Sequence, residues 1–169
     1  MFGKSLALRY INVNDRVIVF KYLHQILPTN QRLFQIRLRD NPACGHCTAA
    51  GTRDHLFLYC IAIQRCVKWL CKVIFYLCGI NANFVNVQQF LTLDLPRVDN
   101  KVKNTLLVVL CSFISCVWLQ REDLDIVINV LKSKIVTDQS IKMAILNEHF
   151  VDYFTENYVK GVEYIHAIV

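Results

Sequence analysis

The stretch Cys44-Gly-His-Cys-Thr-Ala-Ala-Gly-Thr-Arg-Asp-His-Leu-Phe-Leu-Tyr-Cys60 holds three cysteines and two histidines in an order that packing alone does not require. Two residues separate Cys44 from Cys47, seven separate Cys47 from His55, and four separate His55 from Cys60. Three thiolates and one imidazole complete the shell of a closed, tetrahedral structural zinc site. Cys44, Cys47, His55 and Cys60 are therefore the predicted metal ligands, and Zn2+ the predicted cofactor. Zinc is preferred to iron–sulfur or copper because clusters usually take four cysteines. His46 is the alternative to His55, although its adjacency to Cys47 strains simultaneous coordination. The competing reading is a set of ordinary buried cysteines and a core histidine, and the ordered set of four donors in a basic neighbourhood weighs against it.

The spacing also sets a geometric condition. Residues five apart on a regular α-helix lie about 140° apart around its axis. His55 and Cys60 cannot both reach one cation from such a helix, so either the intervening turn is wound differently or Cys60 lies past a helix end. The residues from Ala49 to Arg53 form a longer loop than a short retroviral knuckle has, with Gly51 free to turn it.

The 169-residue chain is 54% hydrophobic and 19% charged, with a net charge of +6. It is long enough for one core, or for a small zinc module beside a helical domain, and is too apolar to be disordered. The charge is uneven: residues 1–60 carry eight Lys/Arg against three Asp/Glu, and residues 61–169 carry eleven against ten. The basic excess sits with the cysteine motif, which suits a phosphate-bearing or other anionic partner. Eight cysteines without a recognisable signal peptide point to an intracellular, reducing compartment. Cys66, Cys71, Cys78, Cys111 and Cys116 lie in apolar helical segments and read as packing. The longest uncharged apolar stretch, Asn104 to Leu119, has 16 residues. A membrane-spanning helix needs about 20, so it reads as a buried helix and no membrane association is expected.

The fold class expected is all-α, an irregular helical bundle with the small Cys-Cys-His-Cys zinc knuckle between its N-terminal helices. Two regions follow: residues 1–79 as a zinc-binding helical module and residues 80–169 as an apolar helical region of unassigned role. Asp15 is expected to cap a helix from about Arg16 to Leu27, with Val17, Phe20, His24 and Leu27 on one side and Pro28 ending it. Thr29 caps a second helix with Leu33, Phe34 and Ile36 as its apolar face, ended by Asn41-Pro42. Ile61 to Cys78 is amphipathic, with Gln64, Arg65, Lys68 and Lys72 on one face and Gly79 at the C′ position. Further helices are expected over Val87–Leu93, over Lys101–Gln120 behind Asp99, from Glu122 to about Lys134, and beyond Thr137. Val13–Phe20 and Asp125–Val130 are rich in β-branched residues and are the segments open to a strand reading.

Leu27-Pro28-Thr29, Arg32-Leu33, Cys44-x-x-Cys47, Thr52-Arg53-Asp54-His55-Leu56-Phe57, Cys60 and Trp69 together resemble the zinc-binding domain found downstream of the reverse transcriptase in non-LTR (LINE-type) retrotransposons. The resemblance covers about residues 16–70. Leu106 to Arg121, with Trp118 before Arg121, more faintly resembles the family's next apolar helix, and residues 122–169 match nothing in it. Thr48 and Gly51 stand where the family usually has glycine and glutamate, which bears on loop conformation rather than on the ligands. The resemblance implies a domain that helps hold template RNA or target DNA, acting in nucleus and cytoplasm. It also implies a reverse transcriptase domain, or another protein docked on the apolar helices, as a partner.

On this reading Arg32, Arg37, Arg39, Arg53, Arg65, Lys68 and Lys72 are the candidate nucleic-acid-binding residues, with RNA or DNA as the expected partner. Phe57, Tyr59 and Trp69 are candidate stacking groups, although Phe57 and Trp69 read better as core. The alternative is a non-catalytic structural or protein-interaction domain in which zinc only organises the fold. An enzyme is not expected. The chain lacks a paired-aspartate polymerase motif and an endonuclease constellation, and a zinc deaminase needs a His-x-Glu pair that His55-Leu56-Phe57 does not supply.

Overall fold

The structure, a computed structural model, describes residues 11–78, 80–91 and 100–137. The chain is all-α: among the described residues there is no strand, only a single antiparallel bridge between Ala43 and Ala50. In chain order the helices are α1 (Val13–Leu23), α2 (Asn30–Gln35), a π-turn (His55–Tyr59), a 3-10 turn (Ile61–Ile63), α3 (Gln64–Cys78) and α4 (Phe84–Leu91). They continue with α5 (Asn100–Leu119), a second 3-10 turn (Leu124–Ile126) and α6 (Val127–Thr137). Both segments open to a strand reading, Val13–Phe20 and Asp125–Val130, are helical. The helix expected beyond Thr137, the capping role of Asp99 and the C′ role of Gly79 lie outside the described residues.

α5 is the spine. From Leu106 to Val117 its side chains are buried almost all round, as expected of a helix with no polar face. α1, α3, α4 and α6 pack against it, so buried side chains from Ile11 to Leu131 form one apolar core. No helix among the described residues is long and apolar enough to cross a membrane.

The start of α1 corrects the sequence expectation. The cap is Asn12, whose side chain accepts the Asn14 N–H at 2.7 Å. Asp15 is instead buried in the first turn and ion-paired with Lys134 of α6. That pairing turns the helix so that Ile18, Val19 and Tyr22 face the core, while Val17 and Phe20 are exposed. Periodicity alone selects the wrong face, because an acidic residue bound for the interior has no periodic signature.

The ends of α1 and α2 are also set differently. In α1 the Ile26 N–H reaches Lys21 O at 2.9 Å and Gln25 N–H reaches Tyr22 O, with Gln25 at φ 57°. In α2 the Leu38 N–H reaches Leu33 O at 2.9 Å and Arg37 N–H reaches Phe34 O, with Arg37 at φ 59°. Both are Schellman closures built on a left-handed residue that is not glycine. The helices therefore stop well before Pro28 and Pro42, which lie within the loops that follow. Thr29 does cap α2, accepting the Arg32 N–H. No residue of that short helix is buried, so its expected apolar face is not a core face.

Candidate metal centre

Residues 42–51 form a small hairpin. Its two sides meet through Cys44 N–H to Ala49 O (2.8 Å) and Gly51 N–H to Pro42 O (2.7 Å). α2 anchors it: Asn30 Nδ2 donates to Ala43 O at 2.6 Å, and the Gln31 N–H donates to Gly51 O at 3.2 Å. Gly51 serves close approach here, since an added Cβ would lie 2.9 Å from Asn30 Cβ. The hairpin presents Cys44 and Cys47, and the His46 N–H donates to Cys44 Sγ at 3.4 Å.

The other two donors come from the turn that follows. Thr52 Oγ1 accepts the His55 N–H at 3.0 Å and starts a helical segment. From His55 to Tyr59 that segment widens into a π-turn, with the Cys60 N–H bonded to His55 O at 2.7 Å. The i to i+5 pattern places His55 and Cys60 on one side, where a regular helix would part them. Cys60 itself is extended, at φ −62° and ψ 135°, before the 3-10 turn begins. Both alternatives read from the spacing thus hold together: the turn is wound differently and Cys60 lies past its end. Gln64 Nε2 donates to Leu58 O at 2.6 Å, satisfying a carbonyl at the junction.

The four donor atoms lie within 4.8 Å of one another and could hold a metal ion. Cys44 Sγ and Cys60 Sγ are 3.8 Å apart, and Cys47 Sγ is 3.1 Å from His55 Nε2. With Zn–S bonds of about 2.3 Å, the S···S edge of a tetrahedron is about 3.8 Å, so the first distance fits a shared cation. Cys44, Cys47, Cys60, Cys66, Cys71, Cys111 and Cys116 are free thiols. Burial pushes the Cys60 thiol up to about 11, opposed by the Ala62 N–H, and burial lowers the His55 imidazole below its usual value. The imidazole is thus neutral at physiological pH and ready to ligate, whereas Cys60 gives up its proton only to a cation that takes its place.

His46, the alternative ligand, is engaged elsewhere: its Nε2 lies 2.6 Å from the Arg121 carbonyl oxygen, beyond the end of α5. This contact ties the knuckle to the spine helix across 75 residues, and no sequence pattern announces it. Arg121 also lies over the Trp118 ring, 4.5 Å from its centroid.

The candidate nucleic-acid-binding residues divide into separate groups. Arg53 supports the fold, paired with Asp54 at 2.6 Å and placed over the Tyr22 ring. Tyr22 in turn meets Phe57 edge-on at 4.7 Å, which joins α1 to the π-turn. Arg32 donates to Gln25 O and Arg39 to Asn30 Oδ1, while Arg37 is the exposed left-handed residue ending α2. Arg65, Lys68 and Lys72 share one face of α3 and line one groove with Lys132 of α6. Arg39 instead lines a hollow together with Cys44, His46 and Arg121. Of the candidate stacking groups, Phe57 and Trp69 are core, and Tyr59 is exposed with its hydroxyl donating to Gln88 at 3.0 Å. Lys132, Arg121 and the Asp15–Lys134 pair are not among the sequence candidates, because each takes its place only through packing between distant helices.

The comparisons identify no relative: no family model, no curated protein and no solved structure matches the chain.

Proposed function

We propose that the protein is a zinc-stabilised, non-catalytic module that binds RNA or DNA. The observation that carries the metal half of this reading is the convergence of Cys44, Cys47, His55 and Cys60 within 4.8 Å through an i to i+5 turn. A thiolate-rich set of four selects zinc over harder divalent cations. Four protein donors also leave no position for a reactive water, which makes the site structural. The nucleic-acid half is supported by the cations on either side of the knuckle, Arg37 before it and Arg65, Lys68 and Lys72 after it. The resemblance to the retrotransposon zinc-binding domain favours the same reading and an association with a reverse transcriptase domain.

The test is metal content by mass spectrometry and salt-dependent binding to single-stranded RNA and DNA. The parent should carry one zinc per chain and Cys44→Ser should lose it, with unfolding of the knuckle region. Binding should weaken as salt rises. Arg37→Gly combined with Arg39→Gln should reduce it without unfolding, since glycine is relaxed at φ 59° where alanine is strained. A parent without stoichiometric zinc rejects the metal reading, and no binding at low salt rejects the nucleic-acid reading.

A second reading, a protein-interaction domain, is favoured by Phe34, Ile36 and Leu38. They are exposed at 43%, 55% and 73% in one short segment ahead of the knuckle, where a protein partner would cover them. Zinc content with no nucleic-acid affinity is the outcome that selects it.

A further inference from the structure

Away from the metal centre, α3 and α6 flank a cavity of about 440 Å³. Small-molecule sites occupy roughly 300–1,000 Å³, so the space suits a nucleotide unit. α3 lines it with Arg65, Lys68, Trp69 and Lys72, at i, i+3, i+4 and i+7, which is one face of a helix. The opposite wall carries Asp125, Asn129 and Lys132, spaced so that they too fall on one face. Four cationic side chains and one carboxylate therefore line the groove. Cys66 Sγ, donating to Leu124 O at 3.7 Å, fixes the start of α3 against the turn that leads into α6.

Trp69 supplies a reporter at the same place. Trp69 is 5% exposed, and its indole Nε1–H is buried with no hydrogen-bond partner. Indole nitrogen is a donor only, and a buried donor without an acceptor is a rare and costly state. Trp69 lines the groove among the cations, so an anion bound there lies against its side chain.

We propose that the α3–α6 groove binds the phosphate group of a nucleotide, with Lys68, Lys72, Arg65 and Lys132 around the phosphate and the Trp69 side chain beside it. The guanidinium of Arg65 supplies a planar fork and the lysines supply point charges, the usual division of work at phosphates. The inference deepens the nucleic-acid reading and rests on it for the source of the phosphate. A phosphodiester in a strand and a free mononucleotide share this chemistry, and the experiment separates them.

The test follows the Trp69 indole N–H resonance of the ¹⁵N-labelled, zinc-loaded full chain, identified by its loss in Trp69→Phe. Uridine monophosphate and a short oligouridylate are titrated at low salt, with a glutamate-rich peptide of matched charge as control. The expected result is a saturable shift with the oligonucleotide, an affinity lowered roughly five- to tenfold by either Lys68→Gln or Lys132→Gln, and no shift with the peptide. Zinc content and melting temperature of both lysine variants should match the parent. A shift with the mononucleotide but no oligonucleotide binding keeps the groove as a phosphate site and overturns the nucleic-acid reading. Oligonucleotide binding with an unmoved indole and unaltered affinity in both variants overturns the groove and leaves that reading standing. A peptide-induced shift of equal size overturns the phosphate assignment.

Discussion

Replacing Gly51 with alanine should weaken metal binding, whereas the same change at Gly45, between the first two cysteine ligands, should not. A Cβ on Gly51 would sit 2.9 Å from Asn30 Cβ, 3.2 Å from Pro42 O and 3.4 Å from Ala43 O. Asn30 cannot swing away, because its Cβ is fixed to the first residue of α2 and its amide holds Ala43 O at 2.6 Å. The hairpin must lift from α2 instead, stretching the Gly51 N–H to Pro42 O and Gln31 N–H to Gly51 O bonds that set its base. Overpacking of this kind costs about 1–3 kcal/mol. The hairpin carries Cys44 and Cys47, and structural metal binding is coupled to folding of the segment that holds the ligands. The cost therefore appears in metal affinity, and at about 1.4 kcal/mol per factor of ten it is a loss of roughly 5- to 150-fold. At Gly45 an added Cβ meets nothing within 4 Å, so alanine is accommodated. The assay is competition for zinc with a chromophoric chelator, run on the parent and both variants, with thermal melts at saturating metal. Parent-like affinity in Gly51→Ala, or an equal loss in Gly45→Ala, refutes the packing argument.

Breaking the Asp15–Lys134 pair should show an asymmetry in urea unfolding. Lys134→Met, which strands a carboxylate only 6% exposed, should cost about 3 kcal/mol, and Asp15→Asn less because Lys134 is 20% exposed; Asp15→Leu with Lys134→Met should recover most of the loss. In thiol labelling after chelation, Cys44 and Cys47 should react first, while Cys66, Cys111 and Cys116 stay protected by burial that pushes them up to about 11, 12 and 11. In a sample reloaded with zinc before the label is added, Cys44 and Cys47 should be silent. Burial also pushes Tyr22 up to about 12 from 10.0, so the folded state keeps a proton that the unfolded chain releases. Its stabilising contribution is complete below pH 10 and declines as pH rises towards 12, by roughly 2–3 kcal/mol, which alkaline melts of the parent and Tyr22→Phe can measure.

The fold was legible where one helix face dominates and illegible where a buried polar group intervenes. α3 needed only its periodicity, because Val67, Leu70 and Ile74 are core while Arg65, Lys68 and Lys72 lie on the opposite, solvent-facing side. α5 was readable from its lack of any polar face. α1 was not, because Asp15 in the sequence is indistinguishable from a cap, and its true partner Lys134 lies 119 residues away. Likewise the left-handed Gln25 and Arg37 gave no signal, since glycine is what marks such positions and the chain uses neither glycine nor asparagine there. Proline then attracted the helix ends to the wrong residues.

The candidate centre was legible to a greater depth than the helices around it, for a chemical reason. Ligand spacing constrains backbone geometry directly: two donors five apart must share a side if both are to reach one ion, and the chain meets that demand with the Cys60 N–H to His55 O bond. A periodic pattern only states a preference for burial, which any neighbouring group can override. The same logic separates His55 from His46. Both imidazoles were open to metal by residue type, but His46 adjoins Cys47 and its ring reaches Arg121 O, so it works as a strut between the knuckle and α5. Loss of that strut in His46→Ala should therefore loosen the knuckle from the core while leaving its four donors in place. Hydrogen exchange at the Cys44 and Gly51 amides, which close the hairpin, should quicken while zinc content stays at the parent's value; loss of the metal would show that His46 does more than brace.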